Sequence, residues 1–264
     1  MDLQLKNKCA LVTGSTAGIG LAIAEGLARE GAAVIVNGRT QQRVDAAVAG
    51  IQARVPGALL EGFAGDLSTA AAADALTNAH PKIDILVNNL GVYEPKPFEE
   101  IDDDSWDRIW QANVMSGVRL SRYYLSRMLS AGWGRILFIS SESAVNIPAE
   151  MVHYGVTKTA QVALARGMAG LTTGSEVTVN SVLVGPTKSE GVSRFVEDLA
   201  HAQGVDAAEV EKQFFSKMRP GSLLKRFITA EEVANLVVYL SSPLAAATNG
   251  AALRVEGGVL HSIL

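Results

Sequence analysis

The chain has 264 residues, 48% of them hydrophobic, and a formal net charge of −4. That length and apolar content suit one large α/β domain, and the lack of a basic block argues against nucleic acid as a partner. The lone cysteine, Cys9, cannot form an internal disulfide, and no apolar run reaches membrane-spanning length or precedes the first strand as a signal peptide, so a cytoplasmic setting with no membrane partner is expected.

Lys8–Thr13 reads as a short buried strand running into Thr13-Gly-Ser-Thr-Ala-Gly-Ile-Gly20. A helical pattern follows over Gly18–Glu30. Further strands are predicted at Ala33–Val36, Leu59–Ala64, Ile83–Asn88, Arg135–Ser140, Thr178–Leu183 and Ala252–Val255. Helices are predicted at Gln41–Arg54, Thr69–Ala79, Asp104–Ala131, Val152–Thr172 and Ala230–Ser241. Such alternation predicts an α/β, Rossmann-type doubly wound parallel sheet with helices on both faces, one domain over 1–264. Ser189 to Phe227 departs from it, with helical patterns, Gly191, Gly204, Pro220-Gly221 and no strand. A substrate lid is expected there; a peripheral helical hairpin is the plainer alternative.

Strand, glycine turn and helix form the context of a dinucleotide-phosphate site. Gly14 permits a tight turn, Gly18 close approach of a pyrophosphate, and Gly20 close helix packing. The helix N-terminus then offers free N–H groups to phosphate. Farther along, Tyr154 and Lys158 stand at i and i+4 on one helix face, with Ser141 upstream. A free tyrosine has a pKa of about 10, and lowering it by about 3 requires about 4 kcal/mol. One cation about 4 Å away supplies roughly that at an effective dielectric of about 20. A serine hydroxyl nearby suits a carbonyl or alcohol oxygen, so the trio fits proton transfer to or from oxygen. Asn113 lies near an apolar stripe of Trp106, Trp110, Val114, Gly117, Leu120 and Tyr124, and a buried amide there needs hydrogen bonds.

With T-G-x-x-x-G-x-G, Asn88-Asn-Leu-Gly91, Asn113, Ser141 and Tyr154/Lys158 in this order, the chain resembles the short-chain dehydrogenase/reductase family from about Leu5 to Val259. The resemblance implies a carbonyl–alcohol oxidoreductase with Asn113, Ser141, Tyr154 and Lys158 as the catalytic set. In it an ordered water joins Asn113 to Lys158 as a proton relay. It places a nicotinamide cofactor against Gly14, Ser15, Thr16, Gly18, Ile19 and Gly20, then Asn37 and Arg39, and Asp66 and Leu67. Asn88, Gly91, Tyr154, Lys158, Gly185 and Thr187 complete that set, and no metal is expected. Thr13 and Asn89 are read as supports for the turn. The helices Asp104–Ala131 and Val152–Thr172, with Val162, Leu164 and Met168, are expected to pair across a two-fold axis in a homotetramer, with a dimer as the alternative.

Four positions depart from the family pattern. Leu90 replaces a small alanine, and Val184 replaces a proline in Val184-Gly-Pro-Thr187, with Ser189 in place of a threonine. Gly38 stands where an NAD-binding relative places aspartate, and Arg39 follows. Loss of the carboxylate and gain of a planar cation favour NADP(H); NAD(H) stays open, since an arginine stacked on adenine serves either cofactor. Val92, Tyr93, Glu142, Ser143, Ile147, His153 and Phe195 are candidate substrate-pocket residues, His153 as a packing or hydrogen-bonding neighbour rather than a base. Phe214 and Phe215 fit either an apolar pocket or core packing. Two other functions remain open on sequence, a dinucleotide-binding regulator and a nicotinamide-assisted epimerase or dehydratase.

Overall fold

The computed structural model describes residues 1–188, 192, 196, 197, 200, 201 and 204–263. Apolar runs that bury both faces suit parallel pairing. Seven strands form one sheet, its centre built from such runs and its edges more exposed: β1 (Cys9–Val12), β2 (Ala33–Gly38), β3 (Leu60–Ala64), β4 (Ile85–Asn88), β5 (Trp133–Ser141), β6 (Glu176–Val184) and β7 (Ala252–Val255). Their order is β3-β2-β1-β4-β5-β6-β7, and every neighbouring pair is parallel.

Side chains alternate across the sheet with period two. Ala10 and Val12 therefore enter one core and Leu11 the other. The first core is covered by α1 (Gly18–Arg29), α2 (Gln41–Arg54) and α8 (Ala230–Leu240); the second by α3 (Ala70–Ala79), α5 (Ser116–Ala131) and α6 (Val152–Gly170). Close approach of α1 to α8 needs Gly26, where a Cβ would lie 2.9 Å from Val238 Cγ2. Side-chain caps start several helices: Thr69 begins α3, and Thr229 with Glu232 forms a capping box on α8.

Strand order reverses direction between β1 and β4, and a cleft opens beyond the C-terminal ends of strands at such a switch. The glycine turn after β1 and Asn88–Gly91 after β4 both lie there.

The predicted helix Asp104–Ala131 is not continuous. It divides into α4 (Asp103–Trp110), a π-helical turn over Gln111–Met115, and α5. The extra residue in that turn rotates the inner stripe. Ile109 faces inward, and Trp110, expected on the stripe, is 36% exposed. Asn113 sits in the π turn and is 1% exposed. Met168, expected at a subunit interface, packs in the second core. Within Ser189–Phe227 the described part includes α7 (Ala207–Lys217). Phe214, Phe215 and Phe227 cluster there with ring centroids 5.1 Å apart, so the two phenylalanines pack with each other and the following segment. Ser189, Gly191 and Phe195 lie outside the described residues.

Candidate active site

Gly14 and Gly18 have φ of +61° and +55°, the left-handed region that side chains resist. A Cβ on Gly20 would lie 2.4 Å from Asn89 Nδ2. Polar side chains fix this turn. Thr13 Oγ1 accepts from the N–H groups of Asn89 and Leu90, and Asn89 Nδ2 donates to the Thr13 and Gly14 carbonyls. Ser15 Oγ donates to Val12 O at 2.7 Å and accepts from Asn37 N–H at 2.9 Å. Asn37 Oδ1 accepts from Gly14 N–H, while Nδ2 donates to Phe63 and Gly65 carbonyls. Thus the buried side chains of Ser15 and Asn37, two expected cofactor contacts, brace the cradle itself.

A cleft beside the turn is lined by Gly14, Thr16, Gly38, Arg39, Asp66, Leu67 and Leu90, and also by Arg43. Arg43 was not singled out from sequence. Its signal is four-residue spacing from Arg39, into the first turn of a helix capped by Thr40. Asp66 does not cap α3: its Oδ1 accepts from Ser68 N–H, and Thr69 is the cap. Asn88 Nδ2 donates to Ser121 Oγ at 3.1 Å, and its buried Oδ1 has no protein partner. Just past the C-terminal end of β6, a Cβ on Gly185 would lie 2.6 Å from the Glu256 backbone. Thr187 bridges to Ile228 through bonds that use Lys188 N–H and Pro186 O, leaving the Thr187 N–H out of the bridge.

The end of β5 and the first turns of α6 bring the catalytic candidates together. Ser141 Oγ accepts from Ser143 N–H at 3.1 Å and lies close enough to the Tyr154 phenol to oppose the rise in its pKa. Lys158 Nζ stands 5.6 Å from the Tyr154 ring centroid. Nζ donates to Ile139 O at 2.9 Å and to Gln161 Oε1 at 3.2 Å. Asn113 Oδ1 accepts from Val92 N–H at 2.7 Å, and Nδ2 donates to Val92 O at 2.9 Å and Thr157 Oγ1 at 3.0 Å. Asn113 therefore locks the π turn to the segment after β4, as a buried amide requires.

The electrostatics differ from the sequence expectation. The Tyr154 phenol is not lowered here: burial pushes it up to about 12, with Ser141 opposing and Glu142 and Tyr93 adding to the rise. Burial likewise brings Lys158 down to about 8. With Nζ bonded to Ile139 and Gln161, loss of solvent outweighs attraction between ammonium and phenolate.

Glu142 follows Ser141 and is nearly buried. Its Oε1 accepts from Arg219 Nε at 2.7 Å, and Oε2 has no protein partner. Burial raises its pKa, against the pull of Arg219. Arg219, just past α7, was not singled out from sequence; nothing local marks a surface-like arginine as the partner of a residue 77 positions away. Tyr93 packs edge-on against Tyr154 at 6.3 Å. His153 packs against Trp106 at 5.8 Å with both ring nitrogens unpartnered, and burial lowers its pKa. Of the two neighbour roles expected of it, it shows packing and no hydrogen bond.

Residues 8–200 match the family model described as short chain dehydrogenase. The chain belongs to the short-chain dehydrogenase family. It is an oxidoreductase by that membership. It is 46% identical to the uncharacterized oxidoreductase YvaG of Bacillus subtilis over 263 residues, covering all of both chains. It is 33% identical to a D-beta-hydroxybutyrate dehydrogenase of Cupriavidus necator, covering 97% of this chain and 98% of that one. Among solved structures, L-sorbose reductase of Gluconobacter frateurii, complexed with NADPH and L-sorbose, superposes with a TM-score of 0.93 at 31% identity over all of both chains. This family member carries no helix, among the described residues, long and apolar enough to cross a membrane.

Proposed function

We propose that the chain is an NADP(H)-dependent oxidoreductase that interconverts a carbonyl and a secondary alcohol. The observation that carries this reading is the convergence of Ser141, Tyr154 and Lys158 on the same sheet edge as a glycine turn whose Gly14 and Gly18 hold positive φ. Gly14, Thr16, Gly18 and Ile19 would hold the pyrophosphate, Arg39 and Arg43 a 2′-phosphate, Asp66 and Leu67 the adenine, and Lys158 the nicotinamide ribose. The bound cofactor supplies hydride. The relatives complexed with NADPH or NADP support the choice of cofactor.

Tyr154 is the general acid in reduction. The protonated phenol is the form that donates to a carbonyl oxygen. Ser141 holds that oxygen and stabilises its developing charge. In oxidation the same group acts as the base.

Glu142 and Arg219 give the pocket a charged, hydrogen-bonding wall beside Ser141. That wall favours hydroxylated or otherwise polar carbonyl compounds over plain apolar ketones. The protein is further proposed to be a cytoplasmic homotetramer, with the outer faces of α5 and α6 paired.

The test is NADPH oxidation against keto sugars, keto acids, aromatic ketones and 3-oxoacyl thioesters, with Tyr154→Phe as control. The variant should bind cofactor normally and lose most turnover. Turnover within about tenfold of wild type, a barrier change near 1.4 kcal/mol, refutes the role of Tyr154.

A further inference from the structure

α6 presents Tyr154, Lys158 and Gln161 on one face, and Gln161 is the residue for which the reaction as proposed has no use. It is 1% exposed. Its Oε1 accepts from Lys158 Nζ at 3.2 Å, and its Nε2 donates to the main-chain oxygen of Asn113 at 2.6 Å. Asn113 in turn donates to Thr157 Oγ1, which donates to Tyr154 O at 2.7 Å. The bonds close a ring through α6 and the π turn.

We propose that Gln161 is a positioning residue: its amide joins Lys158 directly to the Asn113 carbonyl and fixes the ammonium beside Tyr154. This rests on the reading of Lys158 and Tyr154 as the reacting pair. An amide has one end that accepts and one that donates. Here the accepting end meets an ammonium and the donating end a carbonyl, so a flipped amide would lose both bonds. Leucine supplies neither. Glutamate supplies the acceptor for Lys158 but presents a second acceptor to Asn113 O. The resemblance assigned the link between Asn113 and Lys158 to water; this side chain makes it covalently continuous with α6.

The effect reaches chemistry through the charge on Lys158. Tyr154 faces Lys158 from the same helix, and the Ile139 carbonyl from β5. Tyr93, Glu142 and Arg219, from the segments after β4, β5 and α7, act on Tyr154; burial alone shifts Lys158. Gln161 is therefore the side chain whose replacement changes the local support of the ammonium without touching substrate.

The experiment is a ¹³Cε-lysine NMR titration of the intact protein, with the Lys158 signal assigned through Lys158→Met, in wild type, Gln161→Leu and Gln161→Glu. Gln161→Leu should move the Lys158 titration to lower pH. Gln161→Glu should move it higher, by about 1–3 pH units, as an opposite charge within about 4–6 Å does. The alkaline limb of kcat/KM should follow both shifts. A Lys158 titration that stays at the wild-type pH in both variants overturns the inference, whatever their melting temperatures. If Gln161→Leu fails to fold, the isosteric Gln161→Glu decides alone. Absence of carbonyl turnover in wild type would overturn the functional reading; the NMR titration would still decide the inference.

Discussion

Cofactor choice turns on a few atoms at the end of β2. Gly38 has no side chain, and Arg39 and Arg43 line the same cleft. Arg39 is exposed, so solvent weakens any bond it makes to a 2′-phosphate. The low end for a charged hydrogen bond, about 1.5 kcal/mol, is the appropriate figure. That is roughly tenfold in kcat/KM for NADPH on Arg39→Ala, and about a hundredfold for Arg39→Ala with Arg43→Ala if the two act independently. NADH should change little. Converting preference to NADH needs a carboxylate at position 38, but a Cβ there would lie 2.4 Å from Thr16 Cγ2. Gly38→Asp alone should therefore lose activity with both cofactors. Gly38→Asp with Thr16→Ser removes the obstructing methyl and should prefer NADH. The assay is kcat/KM for both cofactors in all five proteins. Wild-type preference for NADH, or equal weakening of both by the double alanine variant, would refute the assignment of these arginines to a 2′-phosphate.

Carbonyl reduction should be flat from acid to neutral pH, because Tyr154 near 12 stays protonated and Lys158 stays charged. Above about pH 8 the ammonium loses its proton and kcat/KM should fall; a profile still flat at pH 10 would exclude Lys158 from the step. Arg219→Ala leaves Glu142 buried without its cation and should cost about 3 kcal/mol at neutral pH. Folded Glu142 has a raised pKa, so it takes up a proton as pH falls and the loss should shrink toward pH 5; thermal melts showing equal losses at pH 5 and 7.5 would contradict the pair. Sedimentation at micromolar concentration should show a tetramer, and a species of 27.8 kDa alone would refute it.

The sheet was legible because its signal is local and repeated. Each buried strand is an apolar run, and each turn carries glycine or a cap. The parallel sheet with helices on both faces followed from alternation alone. The π turn was hidden because it changes spacing, not composition: Trp110 looks as apolar as Ile109, and only the extra residue decides which turns inward. The phenol's rise was hidden for another reason. Spacing fixes which face Tyr154 and Lys158 share, but not what surrounds Nζ. Gln161 carried a readable sign, a polar residue three positions past Lys158 on an apolar face, since a buried amide demands partners. Arg219 carried none, because its pairing depends on how the chain after α7 returns.

The place of β1 between β2 and β4 sets a kinetic problem for the nascent chain. One edge of β1 pairs with β2 almost at once. The other waits for β4, and the contact that begins that side joins Cys9 N–H to the carboxylate of Asp84, 75 residues later. At about 5–20 residues per second, that edge stays open for roughly 4–15 s of synthesis. Ala10, Leu11 and Val12 give it no charge and no proline to discourage another strand. The half-made sheet is therefore most vulnerable to misassociation at the strand that later supports the glycine turn.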